Sequence, residues 1–328
     1  MRHHGVVTSP ALNGGVIAEA FDAGRQKVDS RARYPFRTGL STLFLPVLLL
    51  APVRPAVNSS AAAGTRAVAA RNAMHAVLPA TFDDESKKGV CVWAFQGVNT
   101  ALEESGAGWY LTWSTTHQGI VEARGAQFVP MVRTAVNVTR PALAQAERSG
   151  PELLTFNEPD LTSQADMSVK QALSLWPKLM ATKMQLASPA VATGAATPGG
   201  WLDRFMKGAK QRHYRVNFIA VHWYGADFRT GAAVAQLKSY LESVPTRYNL
   251  PVWLTEYAII RFAPGGPTYP TGLQQAAFVT ASVQMLDSLP IVGRYAWFAL
   301  AAPSSGPSSG LYAPGPRATA AGLAFARA

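Results

Sequence analysis

Apolar and polar positions fall into two alternating textures between residue 87 and the end of the chain. Short unbroken apolar runs read as strands over 90–95, 109–113, 127–133, 153–157, 186–192, 217–223, 251–256 and 294–300. Between them, longer amphipathic or Ala-rich stretches read as helices near 115–124, 140–149, 166–184, 200–213, 231–248 and 271–288, with a closing helix at 317–326. The strand runs are apolar at successive positions rather than at every second one, as in parallel strands buried on both faces. Thr139-Arg140-Pro141 and Thr271-Gly272 carry helix-start signals, and Gly125 and Gly150 mark helix ends. Eight strands alternating with helices over about 210 residues predict an α/β fold, a single (β/α)8 TIM barrel. The interval 96–108 is short, so the first helix is the weakest element of the pattern.

Upstream, the texture changes. Residues 1–56 form a basic extension whose apolar core, 39–53, follows Arg31, Arg33 and Arg37 and precedes small residues. That order is the pattern of a secretory signal. Pro46 interrupts the core, which falls short of the ~20 apolar residues a bilayer span needs, so export is expected, with a membrane signal-anchor as the alternative. An Ala/Ser-rich linker over 57–86 then leads into the barrel domain, 87–328. The predicted location is outside the cell or at the cell wall, and the expected state is a monomer.

Charge and cysteine content exclude several classes. The net charge of +11 is dispersed, and the densest basic stretch, Lys207, Lys210, Arg212 and Arg215, lies on a predicted helix face. No nucleic-acid module accompanies it, so no nucleic-acid partner is expected. The single cysteine, Cys91, sits inside an apolar run, which rules out an intrachain disulfide and any multi-thiolate metal site. There is no Gly-rich phosphate loop, no dinucleotide fingerprint and no Gly-x-Ser-x-Gly, and His117 and His213 fall in helical stretches away from His222. Neither a cofactor nor a metal is expected.

Candidate chemistry gathers where the strands end, the carboxyl-terminal face on which a barrel of this kind builds its site. Thr155-Phe156-Asn157-Glu158-Pro159-Asp160 and Leu254-Thr255-Glu256-Tyr257 each close an apolar run with a glutamate. Two facing carboxylates are the minimal equipment for cleaving a glycosidic bond. Around them the same face collects Trp93, Trp113, Arg133, Asn157, Asp160, His222, Trp223, Tyr224, Tyr257, Trp297 and Phe298. Aromatic rings stack on the apolar faces of sugars while amides and carboxylates hold the hydroxyl rims. His222 and Tyr224 alternate along one strand and share a face, with Trp223 on the other.

These motifs occur in an order that resembles glycoside hydrolase family 128. The matching stretches are Lys88-Gly89-Val90, Trp109 to Trp113, Phe128 to Met131, Phe156 to Asp160, Val221 to Tyr224, Trp253 to Tyr257 and Tyr295 to Phe298. The resemblance implies a β-1,3-glucanase with the clan A barrel, acting on β-glucan polysaccharide or oligosaccharide. It implies Glu158 as general acid/base and Glu256 as nucleophile of a retaining, endo-acting double displacement. Tyr224 or His222 would orient Glu256, and Asn157 would hold the 2-hydroxyl of the bound sugar. Trp113, Trp223 and Trp297 would stack on sugars, Trp297 as the floor of the −1 subsite, with Trp93, Asp160 and Tyr257 as further substrate contacts. Two other readings stand beside it: a clan A hydrolase of mannan, xylan or β-1,4-glucan, and a non-catalytic cell-wall glucan-binding protein.

Overall fold

A computed structural model describes residues 86–121 and 125–328. The basic extension with its apolar core 39–53, and the linker up to residue 85, lie outside the described residues, and so does the signal-sequence expectation.

The predicted apolar runs become parallel strands. β1 (Lys88–Cys91) and β2 (Trp109–Leu111) are followed by a third strand in two pieces, β3 (Gln127–Phe128) and β4 (Met131–Val132). Pro130, which cannot donate to a ladder, marks the break. Then come β5 (Glu152–Asn157), β6 (Gln185–Ala190), β7 (Ile219–Gly225) and β8 (Val252–Ile259). A small antiparallel hairpin follows, β9 (Arg261–Ala263) with β10 (Gly266–Thr268), and then β11 (Val292–Trp297). One sheet runs β3-β2-β1-β11-β8-β7 and a second runs β4-β5-β6. Bridges from Ala187 to Phe218 and from Val191 to Val221 join the second sheet to the first beside β7. The residues between β3 and β4 join them on the other side, and the eight strands close into a barrel.

Helices cover the outside: α1 (Val98–Ser105), α2 (Arg140–Ala146), α3 (Val169–Met180), α4 (Trp201–Gln211), α5 (Thr230–Tyr248), α6 (Gly272–Ser288) and α7 (Ala320–Arg327). Thr139, Ser168, Thr271 and Thr319 cap four of them by accepting a backbone N–H in the first turn. One expectation fails. Residues 115–121 form turns rather than a helix, because Gln118 (φ 52°) and Gly119 (φ 78°) are left-handed. The helix of this part of the chain is α1, folded inside the short interval 96–108.

Two packed layers result. Inside the barrel lie Cys91, Trp109, Leu111, Met131, Leu154, Ala187, Phe218, Ala220, Trp253 and Ala296. Trp253 stacks on Phe218 at 4.2 Å, and the Arg294 guanidinium lies 4.7 Å from the Trp253 ring. This filled interior is the floor on which the strand-end residues stand. Cys91 belongs to it, with its Sγ 3.3 Å from the Thr255 carbonyl.

Candidate active site

Regular strand alternation would not deliver Glu256 to the mouth of the barrel. Trp253 points inward, so an unbroken alternation turns position 256 outward. Against β7, Leu254 pairs with Val221 and Glu256 with His222, so β8 holds one extra residue, Thr255. This bulge re-aims Glu256 onto the inner face opposite His222 and sends Tyr257 outward. At the end of β5 a different device acts. Asn157 and Glu158 are consecutive, yet both are buried at the mouth, because Glu158 adopts a left-handed φ of 44°. Its amide donates to the Ala190 carbonyl of β6 at 2.7 Å. Trp113, at φ 53°, is the second such residue in the site. Left-handed non-glycine backbone collects where a site demands particular side-chain directions.

These devices produce one connected network. Trp113 Nε1 donates to Glu256 Oε1 at 2.6 Å, and Tyr224 Oη donates to Glu256 Oε2 at 2.5 Å. His222 Nδ1 and Glu158 Oε1 share a hydrogen bond of 2.9 Å, while His222 Nε2 faces Glu256 Oε1 at 3.6 Å. A carboxylate oxygen of each glutamate and a ring nitrogen of His222 all lie within 4.8 Å of one another. Such a trio could ligate a cation. In this structure Glu256 accepts from Trp113 and Tyr224, and Glu158 Oε1 is hydrogen-bonded to His222.

The environment sets the protonation states. Burial pushes the Glu256 carboxyl above its ordinary 4.5; His222, Tyr224 and Trp113 pull it back, and Glu158 adds to the rise. Burial opposes charge on His222, but Glu256 and Glu158 outweigh it and raise the imidazole above 6.5. Tyr224 is driven well above 10, first by burial and then by the two glutamates, so it remains a donor. The two carboxylates therefore favour the protonated imidazole, against its burial.

Residues 89–325 match the family described as Glycosyl hydrolase catalytic core. A glycoside hydrolase family 128 subgroup I endo-β-1,3-glucanase from Amycolatopsis mediterranei, solved with laminarihexaose, is 51% identical. It superposes with a TM-score of 0.71 over 74% of this chain and 99% of that one. The chain belongs to glycoside hydrolase family 128. More distant is a subgroup III curdlan-specific exo-β-1,3-glucanase from Blastomyces gilchristii, 27% identical with a TM-score of 0.59 over 74% and 98% of the two chains. Alkali-sensitive linkage protein 1 of Schizosaccharomyces pombe is 26% identical over 210 residues, 62% of this chain; the chain spans 36% of that relative's length.

Within this family 128 hydrolase the aromatic expectations divide. Trp93 and Trp113 are half-buried at the mouth, 6.2 Å apart, and both pack on Phe298, at 6.1 and 5.8 Å. Tyr224 meets the same Phe298 edge-on at 5.6 Å. Three others do not join them. Trp297 is fully buried, with its Nε1 donating to the Ser309 carbonyl and its ring against Tyr257 and Phe278 of α6. A ring without exposed surface cannot be the floor of a sugar subsite. Tyr257 is equally enclosed, between Ser282, Tyr295 and Trp297. Trp223 stacks on Phe278 outside the barrel, opposite His222 and Tyr224.

Phe298, rather than Trp297, is the ring that reaches the mouth from this strand. On β11, Arg294 and Ala296 face the interior, and Phe298 continues that face one residue beyond the strand. Asp160 stands at the rim, exposed, with its Oδ1 accepting from the Ala192 amide at 3.0 Å. It ties the loop after β5 to the chain leaving β6. His222 contacts both glutamates but shares its hydrogen bond with Glu158, and Tyr224 is the one that orients Glu256.

Proposed function

We propose that this protein is a secreted, monomeric endo-β-1,3-glucanase, with residues 87–328 as its hydrolase domain, and that it cleaves by retaining double displacement. One observation carries the mechanism: carboxylate oxygens of Glu158 and Glu256 within 4.8 Å of each other. Retaining hydrolases keep their carboxyl groups roughly 5–5.5 Å apart, whereas inverting ones leave ~6.5–9.5 Å for a water.

In the first step Glu256 attacks the anomeric carbon while Glu158 gives its proton to the departing glycosidic oxygen. The C–O bond to the leaving sugar breaks and an ester to Glu256 forms. Glu158, now ionised, then takes a proton from water as the water attacks the same carbon. This releases Glu256 and restores the proton to Glu158. Trp113 and Tyr224 hold the two oxygens of Glu256, so the nucleophile meets the ring in one orientation. The half-buried faces of Trp93, Trp113 and Phe298 supply apolar surface for sugar rings.

The relatives support the substrate and the mode. The Amycolatopsis mediterranei enzyme was solved with laminari-oligosaccharides and with one or the other of two glutamates replaced. It is an endo-acting enzyme at 51% identity, against 27% for the exo-acting one. Among the described residues no helix is long and apolar enough to cross a membrane. Reducing-sugar release from laminarin, measured beside mannan, xylan and β-1,4-glucan, tests the reading. Preferential release from laminarin, as a ladder of short oligosaccharides, is expected. Turnover of another glycan, or glucose as the sole early product, overturns it.

A further inference from the structure

Beside Glu158 the ladder between β5 and β6 ends irregularly. The Glu158 amide donates to the Ala190 carbonyl at 2.7 Å, as in a regular parallel pair. The next bond of such a ladder would run from the Ala192 amide to the Glu158 carbonyl. Glu158 is left-handed, at φ 44°, and its carbonyl turns away to accept the Leu161 amide at 3.0 Å. Pro159 follows and brings no amide of its own. The Ala192 amide donates instead to Asp160 Oδ1 at 3.0 Å. A side-chain oxygen thus stands in for the backbone oxygen that the turn at Glu158 withdraws.

The chain on the other side of these bonds is itself held. Val191 lies between Ala190 and Ala192 and bridges to Val221 of β7, next to His222. His222 in turn holds the Glu158 carboxylate at 2.9 Å. Glu158 is therefore fixed to one frame twice, its side chain through His222 and its backbone through Ala190 and the Asp160 tie to Ala192. Left-handed backbone at a residue with a side chain is disfavoured and persists where the surroundings impose it.

We propose that Asp160 is a positioning residue for Glu158: by accepting from the Ala192 amide it holds the left-handed turn that aims the proposed acid/base at the departing glycosidic oxygen. The inference rests on the glucanase reading. Without an acceptor at 160, the Ala192 amide regains a protein partner when the Glu158 carbonyl swings back toward β6. That swing relaxes the turn and carries the Glu158 carboxyl off its line. The role asks for an acceptor and not for a charge, so an asparagine, whose amide oxygen accepts equally, fills it.

A misplaced proton donor has a kinetic signature. A leaving group that is stable as an anion departs without protonation, whereas a sugar does not. The test therefore measures kcat/KM, which reads the first irreversible step, on laminaritetraose and on 2,4-dinitrophenyl β-laminaribioside. Wild type, Asp160→Ala and Asp160→Asn are compared, with Asp160→Leu replacing the alanine variant should that one fail to fold. Asp160→Ala is expected to lose about tenfold on laminaritetraose and less than about twofold on the dinitrophenyl substrate, and Asp160→Asn to stay within about twofold of wild type on both. An equal loss on the two substrates means that Asp160 binds sugar or only supports the fold, and overturns the inference. So does an asparagine variant as slow as the alanine one, because the charge would then be what acts, and so does an alanine variant that keeps full activity on laminaritetraose. A wild type that leaves both substrates intact overturns the glucanase reading, and this inference falls with it.

Discussion

His222 Nδ1 stands 2.9 Å from Glu158 Oε1, in an imidazole that is only 1% exposed. The histidine is therefore bonded to the proposed acid/base, while its second nitrogen faces Glu256, the proposed nucleophile. His222→Ala is expected to lower kcat by on the order of ten- to a hundredfold with a smaller change in KM, as for a group that orients a proton donor. Steady-state kinetics on laminarin checks this; a purely KM effect would contradict it.

The same histidine gives a pH signature in stability. Its folded-state pKa is raised above 6.5 by Glu256 and Glu158, despite burial. The stabilisation from its charge is therefore complete below 6.5 and is lost as pH rises through the raised value. Thermal melts of wild type and His222→Ala are expected to lie furthest apart on the acid side and to converge as pH climbs. A gap that widens with pH would mean the imidazole is held neutral.

Tyr224 offers a test on Glu256, the proposed nucleophile. Burial already lifts Glu256 above 4.5, and the hydrogen bond from Tyr224 works against that rise. Tyr224→Phe removes the opposing bond, so the acid limb of the kcat/KM profile moves to higher pH; the limbs belong to the coupled pair rather than to one residue. An acid limb that moves down would show that Tyr224 does not hold the ionised form.

The neighbours Trp297 and Phe298 should separate stability from binding. Trp297→Ala empties a fully buried site between β11 and α6 and is expected to cost about 3–5 kcal/mol of stability. Phe298→Ala removes a half-buried ring at the mouth. It should raise KM for laminarin several-fold with a smaller loss of stability. Chemical denaturation and kinetics on the two variants read out the difference.

Asp203 of α4 supplies a prediction away from the site. Its carboxylate accepts from Lys207 at 2.9 Å, the Gly199 amide at 2.7 Å and Arg247 Nε of α5 at 2.9 Å. Burial pushes its pKa up, but those donors outweigh burial and hold it at about 2. The stability it contributes is present above 3.8 and is lost as pH falls toward about 2. Asp203→Asn should melt below wild type at neutral pH and match it near pH 2.

The barrel and the two glutamates were legible because buried parallel strands write unbroken apolar runs and a strand-end carboxylate interrupts them visibly. What stayed hidden was direction. Glu256 reaches the site through an extra residue in β8, and Glu158 and Trp113 through left-handed backbone, none of which leaves a mark in the apolar pattern. A one-residue change of register exchanges the faces of a strand. The same alternation buries Trp297 against α6 and leaves its neighbour Phe298 half-buried at the mouth. The stacking role expected of Trp223 conflicted with the alternation that pairs His222 with Tyr224, and the alternation prevailed. The helix expected over 115–124 failed for a backbone reason as well, since left-handed Gln118 and Gly119 turn the chain where the pattern continued.

The most direct test follows the anomeric proton by NMR in the first minutes of laminarioligosaccharide hydrolysis. With the Glu158 and Glu256 oxygens within 4.8 Å of each other, the β-anomer should form first and the α-anomer only later, by mutarotation. First appearance of the α-anomer would mean that water attacks directly, and would contradict the double displacement.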